Sequence, residues 1–320
     1  MSAALKDWDH RIGRRLKLRD LHILSTVVQW GSMGKGAAHL SMTQPAVSDA
    51  IAKLEDTLRV RLLERTSKGV LPTIYGTALL KRGAVAFDEL RQGIRDIEFL
   101  ADPTVGEVRV GCSESLLTGF LSTAIDRLSL RYPRIAVRVI DIQPTATEYR
   151  LLRDRDVDFM LGRVFDLDPH GEVDAEILFQ DRYLVAAGVN SPWTHRRKIA
   201  LAELANERWI HMPHSVIAAA FLKHGIDVQK NVVSYSHHLR NELLVTGRFL
   251  TVIAGSVLRA NANRWGLKAL PVDLNIRPHS VAVFTLRNRI LSPVVGLFID
   301  HVRELAKAFQ RPTKDRHGQR

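Results

Sequence analysis

Between Thr73 and Ala101, Leu80, Gly83, Phe87, Leu90, Ile94, Ile97 and Ala101 follow one another at alternating three- and four-residue steps. This spacing predicts one long helix with a 3.5-residue apolar seam over about three heptads. Asp102-Pro103 ends it, because the residue before a proline is pushed out of the α region. A seam of this kind favours a helix from a second chain, although packing against the chain's own body also needs an apolar stripe. Whatever covers it, the helix divides the sequence into short helices before it and strands alternating with helices after it.

Before the division, Leu18, Leu21, Leu24, Val27 and Val28 mark an amphipathic helix that Gly31 stops. Ser32 caps a second helix running through Leu40, and "SMT" makes a turn. In "TQPAVSDAIAKLE" and the residues after it, Val47, Ile51, Leu54 and Leu58 form one helical stripe. Thr43 can cap the first turn, and Pro45 sits where its missing N–H costs little. Gln44, Ser48 and Lys53 lie off the apolar stripe. Helix, tight turn, helix is the arrangement in which a second helix enters the major groove of DNA. "RVRLLERTSKGVLPT" then reads as strand, basic turn and strand, a wing with Arg65, Ser67 and Lys68 placed to meet phosphates or a minor groove. Residues 11–82 carry thirteen Lys and Arg against five Asp and Glu, about two-thirds of the formal net charge of +12. A polyanionic partner near the N-terminus follows, with a surface made basic for solubility as the alternative.

After the division, "EVRVGC" (107–112), "IAVRVIDI" (135–142) and "VDFMLG" (157–162) predict strands, with helical stretches at Ser115–Leu130 and Thr145–Arg153. A second set includes "YLVAAGV", "RWIHM" and "VVSYS", followed by "SVAVFTLR" and a final helix from about Pro293 to Phe309. The expectation is two α/β lobes, with the chain crossing near Arg163 to Asp166 and returning near 264–280. The expected divisions are a flexible extension (1–16), a DNA-binding domain (17–72), a linker helix (73–102), a two-lobed domain (103–310, lobe I about 103–163 and 281–310, lobe II about 164–280) and a flexible tail (311–320). Cys112 is the single cysteine, so an intramolecular disulfide is excluded. The charged N-terminal run lacks the apolar region of a signal peptide, and no stretch offers the ~18 apolar residues of a membrane span, so the expected location is the cytoplasm.

"SMGKGAAHLSMTQPAVSDAIAKLEDTLRVRLLERTSKGVLPTIYG" resembles the N-terminal winged helix-turn-helix of LysR-type transcriptional regulators. The order that follows, a long linker helix and then a two-lobed periplasmic-binding-protein-like (type 2) α/β effector domain, is similar to the same family over almost the whole chain. "RVGCSES", "DVDFMLGR" and "LLVTGRFLTVIAGSVLR" resemble its galactose-binding-protein-regulator and protocatechuate-regulator branches. The resemblance implies a homodimer or homotetramer on an interrupted palindrome of double-stranded DNA near a promoter, with RNA polymerase as a further partner. A small-molecule effector would enter between the lobes. Carried over by position, Thr43, Gln44, Pro45 and Ser48 would face bases or backbone; Arg65, Ser67 and Lys68 would serve in the wing, and Ser32 and Lys53 join the DNA-facing set. Asp49, where many members place Arg, departs from the pattern: it either accepts from a cytosine amino group or faces away. Gly36, where Ala is commoner, should weaken its helix by up to ~1 kcal/mol.

For the effector, Ser113 and Ser115 follow the first strand and open a helix, where α/β folds hold anions on free backbone amides. An N-cap serine is the plain alternative. Thr145 follows the second strand in the same way, and His211, His214 and Ser215 would approach from the opposing lobe. The effector is expected to be a carboxylate or a sugar, whose hydroxyls accept the same hydrogen bonds. The spacing of His211, His214, His237 and His238 matches neither a helical metal pair nor a cysteine-containing zinc site, and no other cofactor motif appears. Cys112 reads as a small buried hydrophobe, with oxidation sensing as the alternative. An α/β enzyme or solute-binding protein with an incidental basic N-terminal domain is the competing reading. Against it, no catalytic constellation is evident, and "VGCSES" lacks the G-x-S-x-G frame of a nucleophile elbow.

Overall fold

The protein is described from a computed structural model over residues 15–66, 69–142, 149–164, 171–211, 221, 222, 225, 230–234 and 236–310. Two compact units divide between Arg91 and Gln92. The extension and tail expected at the two ends lie, but for residues 15 and 16, outside the described residues.

In the first unit, α1 (Leu18–Trp30), α2 (Met33–His39) and α3 (Gln44–Leu58) are followed by a hairpin of β1 (Leu63–Thr66) and β2 (Gly69–Pro72). Ile23, Leu24, Val27, Met33, Ala37, Val47, Ile51, Leu54, Leu62 and Val70 form the core. Each of the larger aliphatic side chains buried there contributes roughly 1.5–3 kcal/mol. Gly36 is less a weakness than an adaptation to this packing. A Cβ there would lie 3.0 Å from Val27 Cγ2 and 3.1 Å from its Cα, so glycine lets α2 approach α1 closely. Gly69 has φ +130° and would place a Cβ 2.3 Å from the Gly31 carbonyl oxygen, which accepts the Val70 N–H at 2.9 Å. That bond fastens the wing to the end of α1. Helix α4 (Ile74–Ala101) starts on Thr73, whose Oγ1 accepts the Gly76 N–H at 3.0 Å and donates to the Arg61 carbonyl at 2.7 Å.

The second unit holds two five-stranded sheets. The first contains β3 (Val105–Ser113), β4 (Arg134–Ile142), β5 (Phe159–Arg163), β6 (Val173–Asp181) and β12 (His279–Leu286), in the order β4-β3-β5-β12-β6. β4, β3 and β5 run parallel, and β12 pairs antiparallel with β5 and β6. α5 (Ser122–Arg131) and the final helix, α9 (Pro293–Gln310), supply Leu128, Val295, Phe298 and Val302 to a core with Val108, Val110, Phe159 and Val283. α6 (Tyr149–Arg153) supplies Leu152 to a satellite cluster with Val157 and Phe284. The second sheet holds β7 (Tyr183–Gly188), β8 (Arg208–His211), β9 (Lys230–Val233), β10 (Phe249–Ala254) and β11 (Leu267–Ala269), in the order β11-β7-β10-β8-β9. α7 (His237–Val245) and α8 (Gly255–Trp265) accompany it.

The sheet pairing moves the outward crossing. Lobe II was expected to begin near 164, yet β6 pairs with β12 through Val173↔Leu286 to Asp181↔His279, so residues 173–181 belong to the first sheet. The chain changes sheet at Arg182 and comes back between Ala269 and His279. The helix expected over Ser115–Leu130 is also broken. A single turn at Glu114–Leu116 runs into a π turn at Leu117–Leu121 with non-helical Thr118 and Gly119, and α5 starts only at Ser122.

Candidate functional site

On the first unit, Thr43 Oγ1 accepts the Ala46 N–H at 3.4 Å, and Pro45 stands in the first turn of α3. Val47, Ile51 and Leu54 hold the helix down, leaving Thr43, Gln44 and Pro45 exposed and Ser48 half-buried. Ser32 caps α2 by accepting the Lys35 N–H at 3.5 Å. The Gln44 Oε1 atom lies 3.5 Å from where a Cβ on Gly34 would stand, so its carboxamide reaches over the start of α2. The sequence therefore produces one polar edge made from the beginnings of two helices, carrying free backbone amides and the positive ends of their dipoles.

Asp49 neither reaches outward alone nor turns into the core. It pairs with Lys53 at 2.7 Å, one helical turn away, and the contact raises the Lys53 pKa above its ordinary value. Of the expected wing residues, Ser67 and Lys68 lie outside the described residues, as does the side chain of Arg65. Glu55 was not anticipated as a positioning group. It is 9% exposed, accepts the N–H groups of Leu62 at 2.7 Å and Leu63 at 3.2 Å, and receives Arg61 Nη1 at 3.0 Å. The end of α3 is thereby tied to the first strand of the wing. A glutamate on the core-facing stripe of an otherwise polar-out helix was the available signal.

On the second unit, parallel register sets one edge of the first sheet. Ser113 pairs with Ile142, and Cys112 pairs with Leu161 two residues before Arg163. The C-terminal ends of β3, β4 and β5 consequently meet at one place, where open α/β folds bind ligands. Ser113 and Ser115 are brought together there, Oγ to Oγ, at 3.4 Å. Ser113 makes no cap bond, and the helix it opens is a single turn, so little helix dipole is available. Positive charge comes instead from Arg163, which donates to Ser115 Oγ through Nη1 and to Asp181 Oδ2 through Nη2 at 2.7 Å. Asp181 also accepts the backbone N–H and the hydroxyl of Ser256, at 2.9 and 2.6 Å. A carboxylate at the end of β6 thus holds a strand of one lobe and a helix start of the other.

The two lobes meet again at Glu114, whose Oε1 accepts the His237 N–H at 2.9 Å. His237 and Arg240 form the inward stripe of α7 with Leu244. Burial, with Arg240 and Arg163 nearby, lowers the His237 pKa to about 3. Burial raises the Glu114 pKa against the pull of the His237 N–H. His211 ends β8 with its ring 6.1 Å from Trp209. Thr145, His214 and Ser215 lie outside the described residues. Glu114, Arg163, Asp181, His237 and Arg240 were not expected at this junction; the sequence offered only their charge, since their convergence depends on strand order. Cys112 is fully buried, and burial pushes its thiol pKa up, which suits a packing role. Among the described residues no cluster of three or more His, Cys, Asp or Glu side chains is placed to hold a metal ion, and no helix is long and apolar enough to cross a membrane.

These features agree with what the chain resembles. Residues 18–77 match the family described as "Bacterial regulatory helix-turn-helix protein, lysR family", and residues 101–307 match "LysR substrate binding domain". The regulator TdcA of Escherichia coli K12 is 27% identical over 74% of this chain and 77% of its own. The regulator GbpR of Azospirillum brasilense is 24% identical over 87% and 83%. Among solved structures, a full-length OxyR variant from Pseudomonas aeruginosa superposes with a TM-score of 0.63 at 18% identity, covering 91% of this chain and 95% of that one. Full-length CbnR complexed with its target DNA gives 0.52 at 20%, covering 91% and 100%. With a DNA-binding match and an effector-domain match in that order on one chain, the protein belongs to the LysR family of bacterial transcriptional regulators, which are not enzymes.

Proposed function

We propose that this regulator reads an interrupted palindrome by inserting the start of α3 into the major groove and changes its hold on that DNA when a small effector enters between the lobes. The observation that carries the reading is the exposed polar edge of α3, anchored from behind by Val47, Ile51 and Leu54. Gln44 has the bidentate amide that suits an adenine edge, and Thr43, Pro45 and Ser48 flank it. Ser32, Lys53, Arg65, Ser67 and Lys68 fix position through the phosphates.

Assembly as a dimer or tetramer draws support from α4. Leu90, Ile94, Ile97 and Leu100 are all exposed in the single chain, Ile97 by 68%. Burying them against a second α4 would set the distance between two recognition helices, and hence the half-site spacing. In the effector site, Ser113, Ser115, Thr145, His211, His214 and Ser215 are joined by Glu114, Arg163 and His237. The effector acts only by binding one lobe or subunit arrangement better than another.

The test is selection of bound fragments from the source genome by the purified protein, then footprinting and a count of protomers on the best site. An interrupted palindrome beside a promoter is the expected result. Salt-sensitive binding with no sequence preference would remove the recognition-helix assignment and return attention to the two-lobed unit.

A further inference from the structure

We propose that Arg240 anchors the effector and that the group it anchors is a carboxylate. The inference rests on the effector-site reading above and adds the chemical class of the ligand.

Arg240 is only 4% exposed, yet its Nε and Nη2 atoms have no hydrogen-bond partner among the described residues. These two donors are not an arbitrary pair. They lie side by side along one edge of the guanidinium, the edge that receives both oxygens of a carboxylate in parallel. Leaving one buried charged donor unmatched is costly, and native structures rarely leave two on one side chain. Among the described residues, the carboxylates do not relieve it. Asp181 is taken by Arg163 and Ser256, while Glu114 accepts the His237 N–H and influences Arg240 only through its charge.

The surroundings suit the same ligand. His237 lies one turn before Arg240 on the buried face of α7, and its Nδ1 is also unpartnered. Arg240 is close enough to Glu114 and His237 to affect the titration of both, which sets it at the lobe junction. The hydroxyls of Ser113, at the end of β3, and Ser115, in the turn after it, flank Glu114 and can donate to a second oxygen-bearing group. Arg240 keeps its charge at neutral pH, since burial lowers its pKa only to about 10. A neutral sugar would leave that charge unmatched; a carboxylate matches its charge, shape and both free donors.

The test uses the full-length protein and measures thermal shift, then calorimetric Kd, against acetate, 2-oxobutyrate, malate, succinate and benzoate, each beside its primary amide, with glucose, galactose and inorganic phosphate as further probes. The expected result is that at least one carboxylate raises the melting temperature at about 10 mM, that its amide does not, and that Arg240→Gln weakens its Kd by about tenfold or more. Arg240→Lys, which keeps the charge without the fork, should recover only part of the loss. If either variant fails to fold by circular dichroism, protection of Arg240 from phenylglyoxal by the bound carboxylate in the wild type is the deciding readout. A carboxylate bound equally well by wild type and Arg240→Gln overturns the proposal. So does a wild type that responds to none of the carboxylates, or responds only to sugars or phosphate. Operator binding by the wild type is scored separately: loss of sequence preference there counts against the regulator reading, whereas a sequence-specific protein indifferent to carboxylates counts against this inference alone.

Discussion

Leu62 donates its backbone N–H to Glu55 Oε1 at 2.7 Å, and the same oxygen takes the Leu63 N–H at 3.2 Å. One buried carboxylate therefore closes two donors that the chain exposes as it leaves α3 for the wing. Glu55→Ala removes the one acceptor of both N–H groups and should destabilise the first unit by about 1–3 kcal/mol, read as a lower unfolding midpoint in urea. Glu55→Gln keeps an acceptor oxygen and should lose less. Equal stability of the alanine variant and wild type would show the carboxylate to be dispensable.

Gln44 and Asp49 separate specificity from charge. Gln44→Ala should cost about 1–3 kcal/mol on the selected operator and far less on random DNA, measured by competition in mobility-shift assays. Asp49→Asn breaks the 2.7 Å ion pair with Lys53 and removes a negative charge from the exposed side of α3. Binding to random DNA should tighten, and the plot of log affinity against log salt should steepen by about one unit. An unchanged slope would mean that neither side chain approaches the phosphates.

Asp158, just before β5, is 0% exposed, with Arg109 at 2.6 Å, Arg289 at 3.0 Å and Arg95 of α4 at 3.6 Å. Burial alone would raise its pKa, but the Arg109 contacts and the Arg289 charge outweigh it and hold the carboxyl below its ordinary value. A lowered folded pKa means that the stabilisation is complete above the unfolded value of about 4 and is lost as pH falls through the folded value. Asp158→Asn removes the buried negative charge that these guanidinium groups share and should cost about 3–5 kcal/mol at neutral pH, while flattening the acid limb of the stability curve. A full-size acid limb in that variant would assign the limb to other carboxylates.

His237 has the opposite chemistry with the same sign. It stays neutral in the folded protein down to about pH 3, whereas in the unfolded chain it gains a proton near 6.5. The unfolded state thus binds more protons between those values, and stability should rise with pH across that window. Between pH 7 and pH 5 this group accounts for about 2 kcal/mol, which His237→Gln should remove from the difference measured by urea denaturation at the two pH values. An identical pH difference in the variant would mean that His237 is not kept neutral.

Ile97→Glu tests the exposed stripe of α4. A carboxylate in the middle of an apolar helix pair should shift sedimentation toward the monomer and weaken operator binding about a hundredfold or more, since each half-site would have to be bound independently. An unaltered mass would place the assembly interface elsewhere.

Local sequence determined much of this protein. The stripe Val47, Ile51, Leu54, the Thr43 cap, the Gly31 stop and the long helix before Pro103 each depend on residues within a turn or two of one another, so the exposed polar edge of α3 could be read from the chain. Tertiary structure decided the rest. β6 is an edge strand whose Asp174 and Glu176 reach Arg287 and Arg303, so its apolar residues show no clean alternation, and only pairing with β12 reveals which sheet it joins. β10 is buried on both faces and reads as an apolar run broken only by Thr251, whose hydroxyl donates to the Ile210 carbonyl, and periodicity cannot distinguish such a run from a buried helix. The candidate site was half legible: Ser113 and Ser115 sit next to a strand end, whereas Arg163, Asp181, His237 and Arg240 are brought together over separations of up to 77 residues. Burial leaves two donors of Arg240 without a partner among the described residues, and burial is fixed by how the lobes pack; the chain supplied the charge, and the fold turned it into a candidate site.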